Sequence, residues 1–329
     1  MSEEVLDSMW IEKYRPKTID ELRLPDQYIQ DFKRMIEKRS LPHNLLFTGP
    51  PGGGKTTLAI MLCSKHGVLS NKEDNLLMAN GSSKRERSIN FVDQVVEPFL
   101  KHPPAGDKYK IVFMDEADNI TSDAYDSWRG IIEKYHKEYG RFIWTGNYLS
   151  KIPDPVQSRF DSYIFQQIPK DFVLIYCKNI LDCEKVPYSE NDIVFIINQL
   201  YPDVRKITNL LQRMSFSGKL VMNRELVVTN EKILIANIVE IISLIEKNED
   251  KKIGAVINKI IDVLASQDLE YRNIYTDLFF MKKVPSPAKI VVNEYANKHQ
   301  GCLIPHQHFM AMIFAIIRTL QAYKKAMMR

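Results

Sequence analysis

Nine residues, GPPGGGKTT at 49–57, constrain the fold of this chain more than any other feature in it. Gly49, Gly54, Lys55 and Thr56 satisfy the spacing G-x-x-x-x-G-K-[ST], with Gly52 and Gly53 between them and Thr57 after. The apolar run NLLFTG (44–49) leads into the loop and the amphipathic KTTLAIMLCSKHG leads out of it, the strand-then-helix setting this motif requires. Glycines let main-chain N–H groups close round phosphate oxygens, and the N-terminus of the following helix adds a favourable field. Lys55 is placed to reach the β- and γ-phosphates of ATP, and Thr56 to ligate Mg2+. A bare glycine-rich turn is the alternative, and the flanking pattern disfavours it.

The surrounding texture fits such a loop. NLLFTG (44–49), NLLMAN (75–80), KIVFMDE (110–116) and RFIWTGN (141–147) read as strands buried on both faces, separated by helical patterns. That alternation predicts a parallel sheet covered by helices, with ligands beyond the carboxyl ends of the strands. From 168 onward the chain reads as helices only. The expected division is an α/β core at 1–167, a small helical domain at 168–230 and an all-α domain at 231–329.

Three further positions belong with the loop. IVFMDEAD (111–118) delivers Asp115 and Glu116 to the end of a buried strand, Asp115 to hold Mg2+ through water and Glu116 to orient and deprotonate the attacking water. Asn147, at the end of the next strand, can hold that water or the γ-phosphate. Arg159, in PVQSRF (155–160), is a permanent cation in search of an anion. By default such an arginine makes a surface ion pair.

A net charge of +4 in 329 residues does not by itself argue for nucleic acid, so any basic surface must be local. Cys63, Cys177, Cys183 and Cys302 have no metal-ligand spacing, and His299, His306 and His308 read as packing or capping residues. The longest apolar run, FMAMIFAII (309–317), is nine residues and far short of a membrane span. With an acidic N-terminus and no apolar leader, these features predict a cytoplasmic protein.

WIEKYRPKTIDEL (10–22), PHNLLFTGPPGGGKTT, IVFMDEAD, NYLSKIPDPVQSRF and DVRKITNLLQ together resemble, in order and spacing, the boxes of clamp-loader ATPases of the AAA+ superfamily. These are the replication factor C small subunits and their T4-type phage counterparts. TIDELRLP, YPDVRK and the chain length are similar to the phage form. The resemblance covers residues 9–215. It implies an AAA+ core, a helical lid and a C-terminal collar, assembled with other clamp-loader subunits into a homo- and hetero-oligomer, a pentamer, that acts on a sliding clamp and primer–template DNA. It also implies that Ile11, Glu12, Lys13, Tyr14 and Arg23 lie against the adenine, that Arg205 reaches the phosphates in cis, and that Arg159 projects into a neighbour's ATP site. Phe160 departs from the family, which usually has cysteine there, and Gly53 stands where threonine is common.

GSSKRERSINFV (81–92) is a solvated charge run by default; its RSINFV resembles a family box whose arginine faces the DNA backbone, which implies a DNA contact through Arg87, and the adjacent Lys84, Arg85 and Ser88 are expected to join it. A cation at 87 can reach inward to Glu116 or outward to a DNA phosphate. The resemblance also makes Phe99 and Leu100 an apolar tip that touches the clamp, with a buried core position as the alternative. Two rival readings are a different AAA+ DNA-remodelling ATPase, for branch migration or recombination, and a nucleotide-binding scaffold without turnover.

Overall fold

A computed structural model describes residues 9–223, 230–266, 269 and 271–327. The chain divides into two compact units, Met1–Met222 and Asn223–Arg329. The expected core, and the described part of the expected lid up to Met222, lie in the first unit.

That unit is built on five parallel strands, β1 Leu45–Thr48, β2 Leu76–Asn80, β3 Lys110–Asp115, β4 Gly140–Gly146 and β5 Asp161–Ile164, in the order β2-β3-β4-β1-β5. Successive side chains on a strand point to opposite faces. Leu46, Val112, Met114, Phe142 and Trp144 enter one apolar core, while Leu45, Phe47, Ile111, Phe113 and Ile143 enter a second on the other side. The central strands are therefore apolar without alternation, as their sequences read. The edge strands differ. β2 was expected to be buried, yet Met78 is 48% exposed, and β5 (DSYI) was not expected at all, being mostly exposed. An edge strand carries little apolar signal because one side has no neighbour.

Helix α1 (Asp26–Glu37) precedes the sheet, α2 (Lys55–Leu62) follows the glycine loop, and α3 (Ser122–His136) joins β3 to β4. After β5 come α4 (Lys170–Cys183), α5 (Glu190–Leu200) and α6 (Val204–Met214), packed through Val173, Cys177, Ile180, Ile193, Ile197, Ile207 and Leu211. The N-terminal segment, which reads as a basic loop, forms one helical turn at Trp10–Lys13. Buried Trp10 donates its backbone N–H to Gln212 of α6 at 3.1 Å, and both the Lys13 ammonium and the Tyr14 hydroxyl meet Glu184 at 2.7 Å.

The second unit contains α7 (Asn230–Glu246), α8 (Ile253–Ser266), α9 (Tyr271–Phe280), α10 (Ser286–Lys298) and α11 (Pro305–Met327) around one apolar core. The histidines pack as expected: His306 bonds Tyr271, His299 lies 3.0 Å from the Tyr275 hydroxyl, and His308 lies 2.9 Å from the Tyr295 carbonyl. Among the described residues no three or more His, Cys, Asp or Glu side chains gather as a metal-binding group, and no helix is long and apolar enough to cross a membrane.

Candidate nucleotide site

The glycine loop leaves the carboxyl end of β1 and turns directly into α2. Gly49 has φ +138°, and a Cβ there would lie 2.1 Å from the Phe165 carbonyl oxygen, so only glycine fits. Lys55 is nearly buried and donates to the carbonyls of Gly49 at 2.7 Å and Pro50 at 2.8 Å, and to Asn147 Oδ1 at 3.1 Å. Burial pulls its pKa down to about 8, against the opposing pull of Asp115, Asp118 and Glu116, while nearby Arg205 lowers it further. An anionic ligand at this loop would restore what burial takes away.

Asp115 ends β3 beside the loop. Thr56 Oγ1 donates to its two carboxylate oxygens at 3.1 and 3.3 Å, and Thr145 on β4 bonds it from the other side. A hydroxyl and a carboxylate, hard oxygen donors next to a phosphate cradle, suit Mg2+, which takes one or two protein ligands plus phosphates and water. Thr56 and Asp115 would hold it.

Glu116 follows with φ +53°, a left-handed conformation that residues other than glycine seldom adopt and that collects at functional sites. A Cβ on Gly81 would come within 2.3 Å of the Glu116 carbonyl oxygen, so this glycine admits the turn. The Glu116 carboxylate accepts from the Ser82 hydroxyl and, at 3.4 Å, from Asn119 Nδ2, which also donates to Ser82 Oγ at 3.1 Å. The sequence allows Arg87 to reach inward to Glu116 or outward to a DNA phosphate. Its carbonyl accepts from Thr121, and the arginine forms no ion pair with Glu116 among the described residues. Ser82 reaches Glu116 because β2 and β3 run side by side and end together, and Asn119 reaches it from the single turn that follows Glu116.

Asn147 closes the far wall. Its backbone N–H donates to buried Asp118 at 3.1 Å while its side chain faces Lys55. The cleft beyond is lined by Ile11, Tyr14 and Arg23 on one side and by Phe172, Tyr176, Ile180 and Thr208 of the helical segment on the other. Arg23 lies 3.9 Å over the Phe172 ring, and burial pushes Tyr176 up to about 12. This wall was missed in the sequence, where the inward stripe of α4 looks like any other apolar helix face. Arg205 also lines the cleft, brought there because the start of α6 packs against Gly52, whose Cβ would meet Pro202 and Val204 backbone at 3.5 and 3.7 Å.

Several expected contacts fall elsewhere. Glu12 turns away to Arg15 at 2.9 Å and Lys13 to Glu184, so neither lines the cleft. Leu100 is fully buried in the sheet's core. Phe99 is half-buried, with the Lys110 ammonium 4.4 Å from its ring and bonded to its carbonyl. The helix Glu97–Lys101 turns its apolar side inward, so Leu100 is no surface tip. Lys84 and Arg85 are exposed, Arg87 is half-buried, and Ser88 donates to the Arg85 carbonyl at 2.7 Å.

Arg159 lies apart from all of this. The register pairs Leu45 with Asp161 and Thr48 with Ile164. Arg159 therefore stands at the amino edge of the sheet, whereas the glycine loop leaves its carboxyl edge. The four residues of β1 alone rise about 13 Å, and Arg159 is absent from the cleft lining among the described residues. It stands too far from the glycine loop of the same chain to meet a ligand held there.

The ATPase family associated with various cellular activities (AAA) matches residues 45–168. A replication factor C small subunit from Aeropyrum pernix is 38% identical over 221 residues, 67% of this chain and 66% of that protein. One from Staphylothermus marinus is 31% identical over 309 residues, 92% of this chain and 91% of that protein. A solved structure of a Thermotoga maritima RuvB mutant superposes with a TM-score of 0.51 at 15% identity, covering 89% of this chain and 90% of that one. That likeness extends to the fold alone. The chain spans about 66% of the length of the Aeropyrum and Archaeoglobus fulgidus relatives it matches.

Proposed function

Because this chain belongs to the replication factor C small-subunit family, we propose that it is an ATP-hydrolysing subunit of a sliding-clamp loader. The observation that carries the reading is the division of one catalytic set between two ends of the sheet. Lys55, Thr56, Asp115, Glu116 and Asn147 converge at the carboxyl edge, and Arg159 stands at the amino edge. Only a neighbouring copy or a related subunit can bring the two together, so hydrolysis belongs to an assembly. The glycine loop and Lys55 bind the phosphates, and the cleft between Tyr14, Arg23 and Phe172 takes the adenine. Bound Mg2+ neutralises charge on the β- and γ-phosphates. Glu116 accepts a proton from water as its oxygen bonds the γ-phosphorus. The bond to the β,γ-bridging oxygen breaks, and ADP and inorganic phosphate leave. Asn147 orients that water, and a neighbouring subunit's Arg159 stabilises the charge that develops.

The domain plan follows the same reading: a core at 1–167, a lid at 168–230 that carries Arg205, and a collar at 231–329. Exposed Lys84 and Arg85 offer cations to primer–template DNA. The test is ATP turnover by the assembled complex with and without primed DNA and a ring clamp. Turnover stimulated by both, with clamp deposited on primed DNA, is expected. Turnover indifferent to the clamp but coupled to movement on duplex DNA would favour a DNA-remodelling motor, and binding without turnover would favour a scaffold.

A further inference from the structure

The turn that carries Arg159 is held more firmly than a surface loop requires. Its backbone is fixed on one side by Asn44, whose Nδ2 donates to the Arg159 carbonyl at 3.0 Å. On the other side the next residue, Phe160, is only 9% exposed and lies 4.9 Å from the Trp144 ring. The side chain is held too. Arg159 Nε donates to Glu133 Oε1 at 2.8 Å, and Nη2 reaches the same oxygen. Nη1 donates to the Ser158 hydroxyl at 2.9 Å and to the Pro155 carbonyl.

This arrangement separates the two edges of the guanidinium. Glu133 takes the Nε–Nη2 edge in a charge-assisted contact, roughly twice as strong as a neutral one. On the outer edge Nη1 meets the Ser158 hydroxyl, which can rotate away, and the Pro155 carbonyl, which an incoming phosphate oxygen would displace. A planar fork gripped along one edge presents the other in a fixed direction, and that is what bidentate contact with a phosphate needs. Glu133 sits in the last turn of α3, the helix whose first turn follows Glu116 to Asn119; its carboxylate is half exposed, but the turn that carries it is anchored by buried Ile131, Ile132 and Tyr135. Arg129 and Lys137 also act on this carboxylate, at longer range than the direct bond from Arg159.

We propose that Glu133 is a positioning residue for Arg159, aiming its outer edge at the γ-phosphate in the adjacent subunit. This rests on the reading of Arg159 as a residue that acts in trans. A side chain at 133 without an acceptor oxygen at that reach leaves the finger present but free to swing, and a misplacement of about 1 Å costs on the order of a hundredfold in rate at worst.

The experiment uses the assembled complex with primed DNA and measures kcat and KM for ATP in the parent, Glu133→Ala, Glu133→Gln, Arg159→Ala and the Glu133→Ala/Arg159→Ala double variant. Glu133→Ala is expected to lower kcat about tenfold with KM within about twofold, since the ground-state phosphate contacts lie in another subunit. Gln, which keeps an acceptor oxygen at the same reach, should recover most of the loss. The double variant should be no slower than Arg159→Ala alone, because both changes remove one device. Mixing Glu133→Ala subunits with Lys55→Ala subunits should restore turnover above that of Glu133→Ala alone, at junctions pairing an intact loop with an intact finger. Should the alanine variant fold poorly, Glu133→Asp, one methylene short, carries the same expectation. Parent kcat in Glu133→Ala with Arg159→Ala slow would overturn the proposal alone. An additive double variant would also overturn it. Parent kcat in Arg159→Ala would overturn the trans reading beneath it.

Discussion

Phe160→Ala tests whether an aromatic ring fixes the turn that bears Arg159. Phe160 packs with Trp144, which in turn meets Trp128 edge-on at 5.2 Å, and all three belong to one core. Truncating a buried Phe costs about 3–5 kcal/mol through lost transfer and a residual cavity. Phe160 lies at the rim of its cluster rather than at the centre, which favours the lower end, about 3 kcal/mol. For a unit of this size each kcal/mol moves the melting midpoint by about 2–4 °C, so a drop of about 6–12 °C is expected in thermal unfolding followed by tryptophan fluorescence. Loss of the ring should also let water nearer Trp144 and shift its emission to the red. Phe160→Leu, which fills most of the space, should cost about 1 kcal/mol. Arg159→Ala removes an exposed pair with Glu133, the kind worth about 0–1 kcal/mol, and should barely move the midpoint. A Phe160→Ala midpoint within about 2 °C of the parent, with unchanged emission, would refute the claim that this packing fixes the turn.

Lys55→Met should abolish ATP binding while stabilising the nucleotide-free protein. Lys55 has a folded pKa of about 8 against 10.5 unfolded; between those values the unfolded state binds more protons, so the parent gains stability as pH rises and the variant does not. Below pH 8 the variant's advantage is greatest, at most about 3 kcal/mol, and denaturant melts at pH 7 and 10 would show it. Ser82→Ala withdraws a donor from the Glu116 carboxylate and should raise turnover without DNA several-fold and shrink stimulation by primed DNA, whereas Arg87→Ala should change basal turnover less; a steady-state phosphate-release assay separates them. Changing Lys84 or Arg85 to Ala should weaken DNA binding uniformly across sequences and reduce the salt slope by about one each, measured by fluorescence anisotropy over a salt series.

The sequence by itself determined the chemistry and the layer plan. Glycine spacing, a lysine and a hydroxyl residue are local requirements of phosphate binding, and short apolar runs such as IVFM, rich in β-branched and aromatic residues and ended by polar ones, read as strands covered on both faces. For that reason Lys55, Thr56, Asp115, Glu116 and Asn147 were legible, and the structure brings all five together. Tertiary structure alone decided what surrounds them. Ser82 meets Glu116 because β2 and β3 end side by side, and Phe172 and Tyr176 wall the cleft because the helical segment folds back over the loop. Leu100 points inward and Lys13 turns to Glu184, choices set by which side of a short helix faces an already packed core. The place of Arg159 depends on β5, a half-exposed edge strand whose four residues carry almost no pattern. Once β5 is seen to run parallel to β1, Arg159, two residues before it, must lie at the sheet's amino edge, opposite the phosphate loop. Pattern in a chain records which side chains must be buried, but strand order and direction are settled by packing between distant segments, and they fix which end of the sheet each residue reaches.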